Sequence, residues 1–189
     1  MNPTITYLQS LCPLSPNLID FLSEKLRSSN LPKKATILKA GQISDRIYFI
    51  EEGSVRCFYK KDDKEVHTWF MSKGDVIISV KSFYTQTPSY EYIETLDACT
   101  LHYLSYKDLQ HIYFTFPEFN FIGRVLTEQY YLKSEERLFA IRNHNSHERY
   151  LILKETNPNL IDKIPAKYIA SYLGITEETL SRIKRNEID

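Results

Sequence analysis

At 189 residues, 42% of them apolar, the chain is long enough to bury a real core in one large domain or in a medium and a small one. Its 24 basic and 24 acidic residues balance, which argues against strong non-specific attachment to nucleic acid, since that needs clustered positive charge. No apolar run approaches the roughly 18 residues of a membrane span, and the N-terminus lacks the basic and apolar regions of a secretory signal. Three dispersed cysteines, Cys12, Cys57 and Cys99, suit a reducing cytoplasm rather than a disulfide framework.

After a polar start, residues 14–28 (LSPNLIDFLSEKLRS) place Leu18, Ile19, Phe21, Leu22 and Leu26 near helical spacing and predict one short helix. Between residues 35 and 105 the texture changes. ATILKAG, RIYFIEEG, SVRCFYKK, KEVHTWFMSKG, DVIISV, YEYIETL and TLHYLS are short, rich in β-branched and aromatic residues, and separated by turn signals. Strands this close, with no helices between them, predict an antiparallel barrel, roll or sandwich. SYKDLQHIYFTF then predicts a short helix ending at Pro117, followed by a longer one over 117–142. In that helix Ile122, Val125, Gln129, Leu132, Glu136 and Phe139 recur at alternating threes and fours, the spacing of a seam for a partner helix. Packing of the same helix on its own barrel is the alternative. A break at RNHNSH leads into an all-helical tail.

The tail carries the most specific pattern. Pro165 opens a helix in which Ile169, Ala170 and Leu173 face inward, and the small Ala170 permits close helix approach. Gly174 stands where a left-handed cap wants no Cβ, Ile175 fills the core, and Thr176 can cap a second helix that buries Leu180 and Ile183. These offsets predict a helix-turn-helix. On the opposite face Glu178, Ser181, Arg182 and Arg185 form a stripe, with Glu177 beside it. A carboxylate can accept from a cytosine amino group and a guanidinium can clasp guanine. An ordinary solvated face with an internal Glu178–Arg182 pair is the plainer alternative.

Read in this order, the chain resembles the Crp/Fnr family of bacterial transcription regulators over nearly its full length. KAGQISDRIYFIEEGSVRCFY resembles the family's cyclic-nucleotide-binding-type β-roll, with Gly41 and Gly53 in turns, and MSKGD resembles its next turn. The helix from 117 resembles the dimerisation helix, and IASYLGITEETLSRIKR resembles the DNA-binding motif, with Glu178 and Arg182 at matching positions and Glu177 where the family often has Arg. The resemblance implies an α+β chain. Its parts are an N-terminal antiparallel, jelly-roll-like β-roll with flanking helices (1–116), a dimerisation helix and hinge (117–143), and a C-terminal helix-turn-helix (144–189). It also implies a cytoplasmic homodimer that binds double-stranded DNA through Thr176, Glu177, Glu178, Thr179, Ser181, Arg182, Lys184 and Arg185. RNA polymerase and a small-molecule effector are further implied partners, with no membrane partner.

Family members that bind cyclic AMP carry a Gly-Glu pair and a later Arg. Here Ile78 and Ser79 stand at the pair and Ser89 at the Arg, so the cyclic phosphate has no cationic partner nearer than Lys81. An apolar pocket from Phe70, Ile78, Phe83 and Tyr92 is expected to take an unknown organic effector instead. Three dispersed cysteines do not hold an iron–sulfur cluster, and His67, His102, His111, His144 and His147 stand in no metal spacing, so neither cofactor nor metal is expected. The rival reading is a cupin-like or cyclic-nucleotide-fold small-molecule-binding protein or enzyme without DNA binding. The sequence shows no His-x-His pair, P-loop, nucleophile elbow or dinucleotide fingerprint to support an enzyme.

Overall fold

The computed structural model describes residues 2–185; Met1 and the last four residues of the tail, 186–189, fall outside the described residues. The polar start is a helix, α1 (Pro3–Leu11). Asn2 accepts from the Thr4 N–H at 2.9 Å, Pro3 occupies the first turn, and Ile5 and Leu8 are buried. The single helix expected over 14–28 is shorter, α2 (Pro16–Lys25), capped by Ser15. From Arg27 the chain is already strand. That strand reads as polar because it lies at a sheet edge, with one neighbour.

Eight strands form among the described residues: β1 (Arg27–Leu31), β2 (Thr36–Leu38), β3 (Arg46–Glu52), β4 (Ser54–Lys61), β5 (Lys64–Ser72), β6 (Val76–Ile77), β7 (Tyr92–Thr95) and β8 (Cys99–Ser105). They make two antiparallel sheets of four, ordered β1-β8-β3-β6 and β2-β7-β4-β5. Leu38, Ile50, Val55, Ile77, Ile93 and Leu101 fill the space between them. The stretch DVIISV, expected as one strand, pairs with β3 only at Val76 and Ile77. Ser79 then accepts at its carbonyl from the Phe83 N–H at 2.8 Å, and the chain turns into a short helix, α3 (Val80–Thr85). Lys81 therefore lies on a helix.

Helices α4 (Tyr106–Thr115) and α5 (Pro117–Asn143) follow. Phe119 and Ile122 of α5 are buried with α1, α2 and α4, so Ile122 belongs to its own domain's core and not to a partner seam. Gly123 lets the two helices meet: a Cβ there would stand 2.6 Å from the Tyr113 ring. The tail consists of α6 (Ser146–Thr156), α7 (Pro158–Ile161), α8 (Ala166–Leu173) and α9 (Glu177–Arg185), around Tyr150, Leu153, Ile169, Leu173 and Leu180.

The tail is fixed to the roll along β5, the last strand of its sheet. An edge strand leaves backbone groups unpaired. Here the Ser171 hydroxyl of α8 donates to the Glu65 carbonyl at 2.8 Å and accepts from the His67 N–H at 3.1 Å. Arg137 of α5 donates to the carbonyls of Thr68, His67 and Tyr172, and its guanidinium lies 4.2 Å from the Tyr172 ring. Beneath them Arg56 is 3% exposed, paired with Glu65 at 2.5 Å and Glu94 at 2.9 Å, and sandwiched between the rings of Phe58 and Tyr168 at 4.1 and 4.2 Å. Phe70 joins the tail's own core.

His67 completes this layer, stacked 4.4 Å from Tyr168. Arg56 donates to its Nε2 at 2.9 Å, which requires a lone pair there; the ring is neutral, and its buried Nδ1 finds no partner among the described residues. Burial first and the Arg56 charge second lower the pKa to about 4 from 6.5. The folded ring thus resists a proton that the unfolded chain takes up, and its contribution to stability is complete above pH 6.5 and lost as the pH falls toward 4. Unfolding by urea is expected to show a loss of about 2 kcal/mol at pH 5 relative to neutral pH. His67→Gln, which keeps an acceptor for Arg56 without titrating, should flatten that part of the profile. Gly123→Ala should lower the thermal midpoint, although the helix preference for Ala over Gly, about 1 kcal/mol, would act the other way.

Candidate effector cavity and nucleic-acid interface

Between the sheets and α5 lies a cavity of about 410 Å³, in the ~300–1,000 Å³ range of small-molecule sites. Phe49, Trp69, Met71, Val76, Leu126 and Tyr130 supply much of its wall. Trp69 and Met71 face it together because they are two apart on a strand, while Phe70 between them faces the tail. Tyr130 ties α5 to the wall: its hydroxyl accepts from the Val76 N–H at 2.6 Å and lies 3.3 Å from Asp75. Burial, and then the Asp75 charge, raise its phenol above the usual range, so it remains protonated.

Of the residues expected to line an effector pocket, Ile78 and Lys81 do so. Phe70 is on the wrong side of β5. Phe83 is fully buried in the helical cluster below the cavity, because α3 turns it inward at helical spacing. Tyr92 points outward and stacks on Phe58 at 5.1 Å. Ser79 and Ser89, at the nucleotide-binding positions of the resemblance, are buried with their hydroxyls 2.9 Å apart. Ser79 donates to the carboxylate of Glu91 at 2.8 Å.

Glu91, Trp69 and Tyr130 were not singled out from the sequence. Strand parity could have found the first, since Ile93 is buried and Glu91 is two residues before it. No arginine lines the cavity among the described residues.

The tail presents its helix pair in the expected geometry. Gly174 has φ +66°; its N–H donates to the Ser171 carbonyl at 3.2 Å and the Ile175 N–H to Ala170 at 3.0 Å, closing α8 as a left-handed cap. Thr176 then accepts from the Thr179 N–H at 3.2 Å to start α9. With Leu180 and Ile183 buried, Thr176, Glu177, Glu178, Ser181, Arg182 and Arg185 are exposed on one side. Among the described residues Glu178 and Arg182 form no ion pair with each other, and both are exposed. Hydrogen bonds from its own backbone and from Thr176 lower the pKa of Glu178. Thr179 is half-buried with its hydroxyl 3.2 Å from that of Thr176, and Lys184 turns toward the Tyr150 ring at 6.0 Å.

On α5 the remaining seam positions lie outside the roll's buried core. Gln129, Leu132, Glu136 and Phe139 are exposed and Val125 is half-buried. Leu132 and Phe139 are each 59% exposed, and Tyr131, Leu138 and Ile141 add to the apolar surface.

Residues 29–116 match the cyclic nucleotide-binding domain family. Over 106 residues the chain is 26% identical to the cAMP-activated global transcriptional regulator CRP of Pasteurella multocida (strain Pm70), covering 56% of this chain and 50% of that protein. The chain thus spans about half the length of this curated relative. Its fold is similar to that of the c-di-GMP responsive global regulator CLP of Xanthomonas campestris (TM-score 0.68, 16% identity, 91% of each chain). It is also similar to FixK2 from Bradyrhizobium japonicum (TM-score 0.71, 17% identity, 85% of this chain and 83% of that one). A mutant of CooA from Carboxydothermus hydrogenoformans gives a TM-score of 0.67 at 17% identity over 92% of this chain and 85% of that one. No helix among the described residues is long and apolar enough to cross a membrane. A cyclic nucleotide-binding domain over residues 29–116, set before a long helix and a helix-turn-helix, is the fold that the chain shares with these regulators.

Proposed function

We propose that the protein is a homodimeric, sequence-specific DNA-binding regulator whose β-roll answers to a small organic effector other than cyclic AMP. The observation that carries the reading is the free stripe on α9. Glu178 and Arg182 project into solvent, with no ion pair between them among the described residues, from a helix whose other face is locked by Ala170, Gly174, Leu180 and Ile183. Arg182 and Glu178 read base edges, and Thr176, Ser181 and Arg185 set the register on phosphates, with Thr179 and Lys184 at the margin. Two chains joined through Leu132 and Phe139 carry the two α9 helices to successive major-groove half-sites, about 34 Å apart. Pairing also accounts for a neutral protein reading DNA, because two modest contacts act as one.

The route from cavity to tail is short. Trp69 faces the cavity while its neighbours Phe70 and Thr68 touch the tail's core and Arg137. Tyr130 lines the cavity, and Arg137, seven residues along α5, holds the α8 carbonyl of Tyr172. An effector that fits the cavity better in one arrangement of α5 shifts the tail by that difference in affinity. The break at His144 and Asn145 serves as the pivot.

Selection of genomic fragments with the purified protein, at two salt concentrations and with and without cell extract metabolites, should enrich a palindrome. A flat outcome in every arm would sink the reading. Arg182→Ala should weaken the enriched site by about tenfold or more while leaving the dimer intact. Phe139→Glu should move the protein toward monomer in sedimentation experiments with little change in its melting, and abolish palindrome selection. Calorimetric titration with cyclic AMP should show no heat of binding.

A further inference from the structure

The cavity of the roll holds a carboxylate, Glu91, in its wall, with an exposed lysine, Lys81, and His102 also in the lining. The carboxylate of Glu91 reaches the cavity, and among the described residues it receives hydrogen bonds from two hydroxyls, Thr68 at 3.2 Å and Ser79 at 2.8 Å. Each of those hydroxyls has one proton and a second acceptor within reach, the Cys57 carbonyl for Thr68 and Ser89 for Ser79. A carboxylate offers about four acceptor sites, so Glu91 is left short of donors. Among the described residues it has no ion pair. Lys81, the cation of the lining, is exposed on α3 and does not pair with it. The cavity is large enough for a nucleotide, so size does not reject a cyclic phosphate. Charge does: an anion placed beside Glu91 would meet a like charge in a mostly apolar enclosure.

The rest of the lining favours the opposite ligand. Trp69, Phe49, Tyr84, Tyr90, Tyr103 and Tyr130 present aromatic surface. Aromatic faces attract ammonium groups and shelter apolar bodies alike. We infer that the roll binds an organic amine, with an aromatic or otherwise apolar body against Trp69 and an ammonium head donating to Glu91. This rests on the reading of the cavity as an effector site, but its test involves no DNA.

Trp69 is the chain's single tryptophan and lines the cavity, so its fluorescence reports occupancy directly. The probes are arylalkylamines from benzylamine to 4-phenylbutylamine, each paired with the alcohol and the carboxylate of the same shape. At least one amine should shift the Trp69 emission saturably, with its alcohol about tenfold weaker and its carboxylate weaker still. Glu91→Gln should remove the advantage of amine over alcohol while leaving alcohol binding unchanged, and Glu91→Asp should keep the advantage. The ranking of isosteres on the unaltered protein decides the matter even if a variant fails to fold. No amine response, or a carboxylate or alcohol that binds as tightly as the amine, overturns the inference. Amine binding without DNA selection would uphold this site and refute the regulator reading instead.

Discussion

A buried guanidinium on the outer face of the second sheet joins the two halves of the molecule. Arg56 cannot leave its place without stranding Glu65 and Glu94, and it cannot keep its place without the Tyr168 ring across it. Breaking such a buried pair by removing one partner costs about 3–5 kcal/mol, whereas its net stabilisation over an apolar filling is small. The interaction therefore serves position more than stability. It fixes where α8 lies on the roll, and α8 in turn fixes α9, since the Gly174 turn allows one path between them.

The β5 strand is the shared wall of two compartments. Trp69 and Met71 face the cavity and Phe70 between them faces the tail, as does His67, which the extra residue Thr68 turns to that side. In a pleated strand these two faces cannot move independently. The register shift between Cys57 and Phe58 falls at this point in β4, leaving Thr68 as the extra residue opposite, and its carbonyl is the one that Arg137 takes. The local irregularity in the ladder thus provides the backbone acceptor by which α5 grips both roll and tail.

The parts most legible in the sequence are those fixed by local sterics. A left-handed cap needs Gly174 and a close helix crossing needs Ala170, so the tail's geometry can be read from spacing alone. The strands of the roll are legible for a similar reason, as their turns carry Gly or Asp at positive φ. The cavity is far less so. Its lining depends on where β6 stops and α3 begins, which is decided by Ser79 meeting partners from residues 44, 89 and 91, contacts invisible along the chain. That single change of period moves Phe83 from the expected wall into the core, and parity on β5 moves Phe70 to the tail. The first helix is hidden because Ile5 and Leu8 are its two fully buried aliphatic anchors, too few to show a period; Ile122 is misassigned because a heptad does not say which partner fills it.

The cover on β5 also bears on how the chain is made. Ser171 meets Glu65 and His67 across 106 and 104 positions of sequence. During synthesis at about 5–20 residues per second, the roll waits roughly 5–20 s with a bare strand edge before α8 emerges to close it. Until then the edge is open to pairing with another nascent chain, and the charges on β4 and β5 at Lys60, Lys61 and Lys64 stand at the hairpin end nearest that opening.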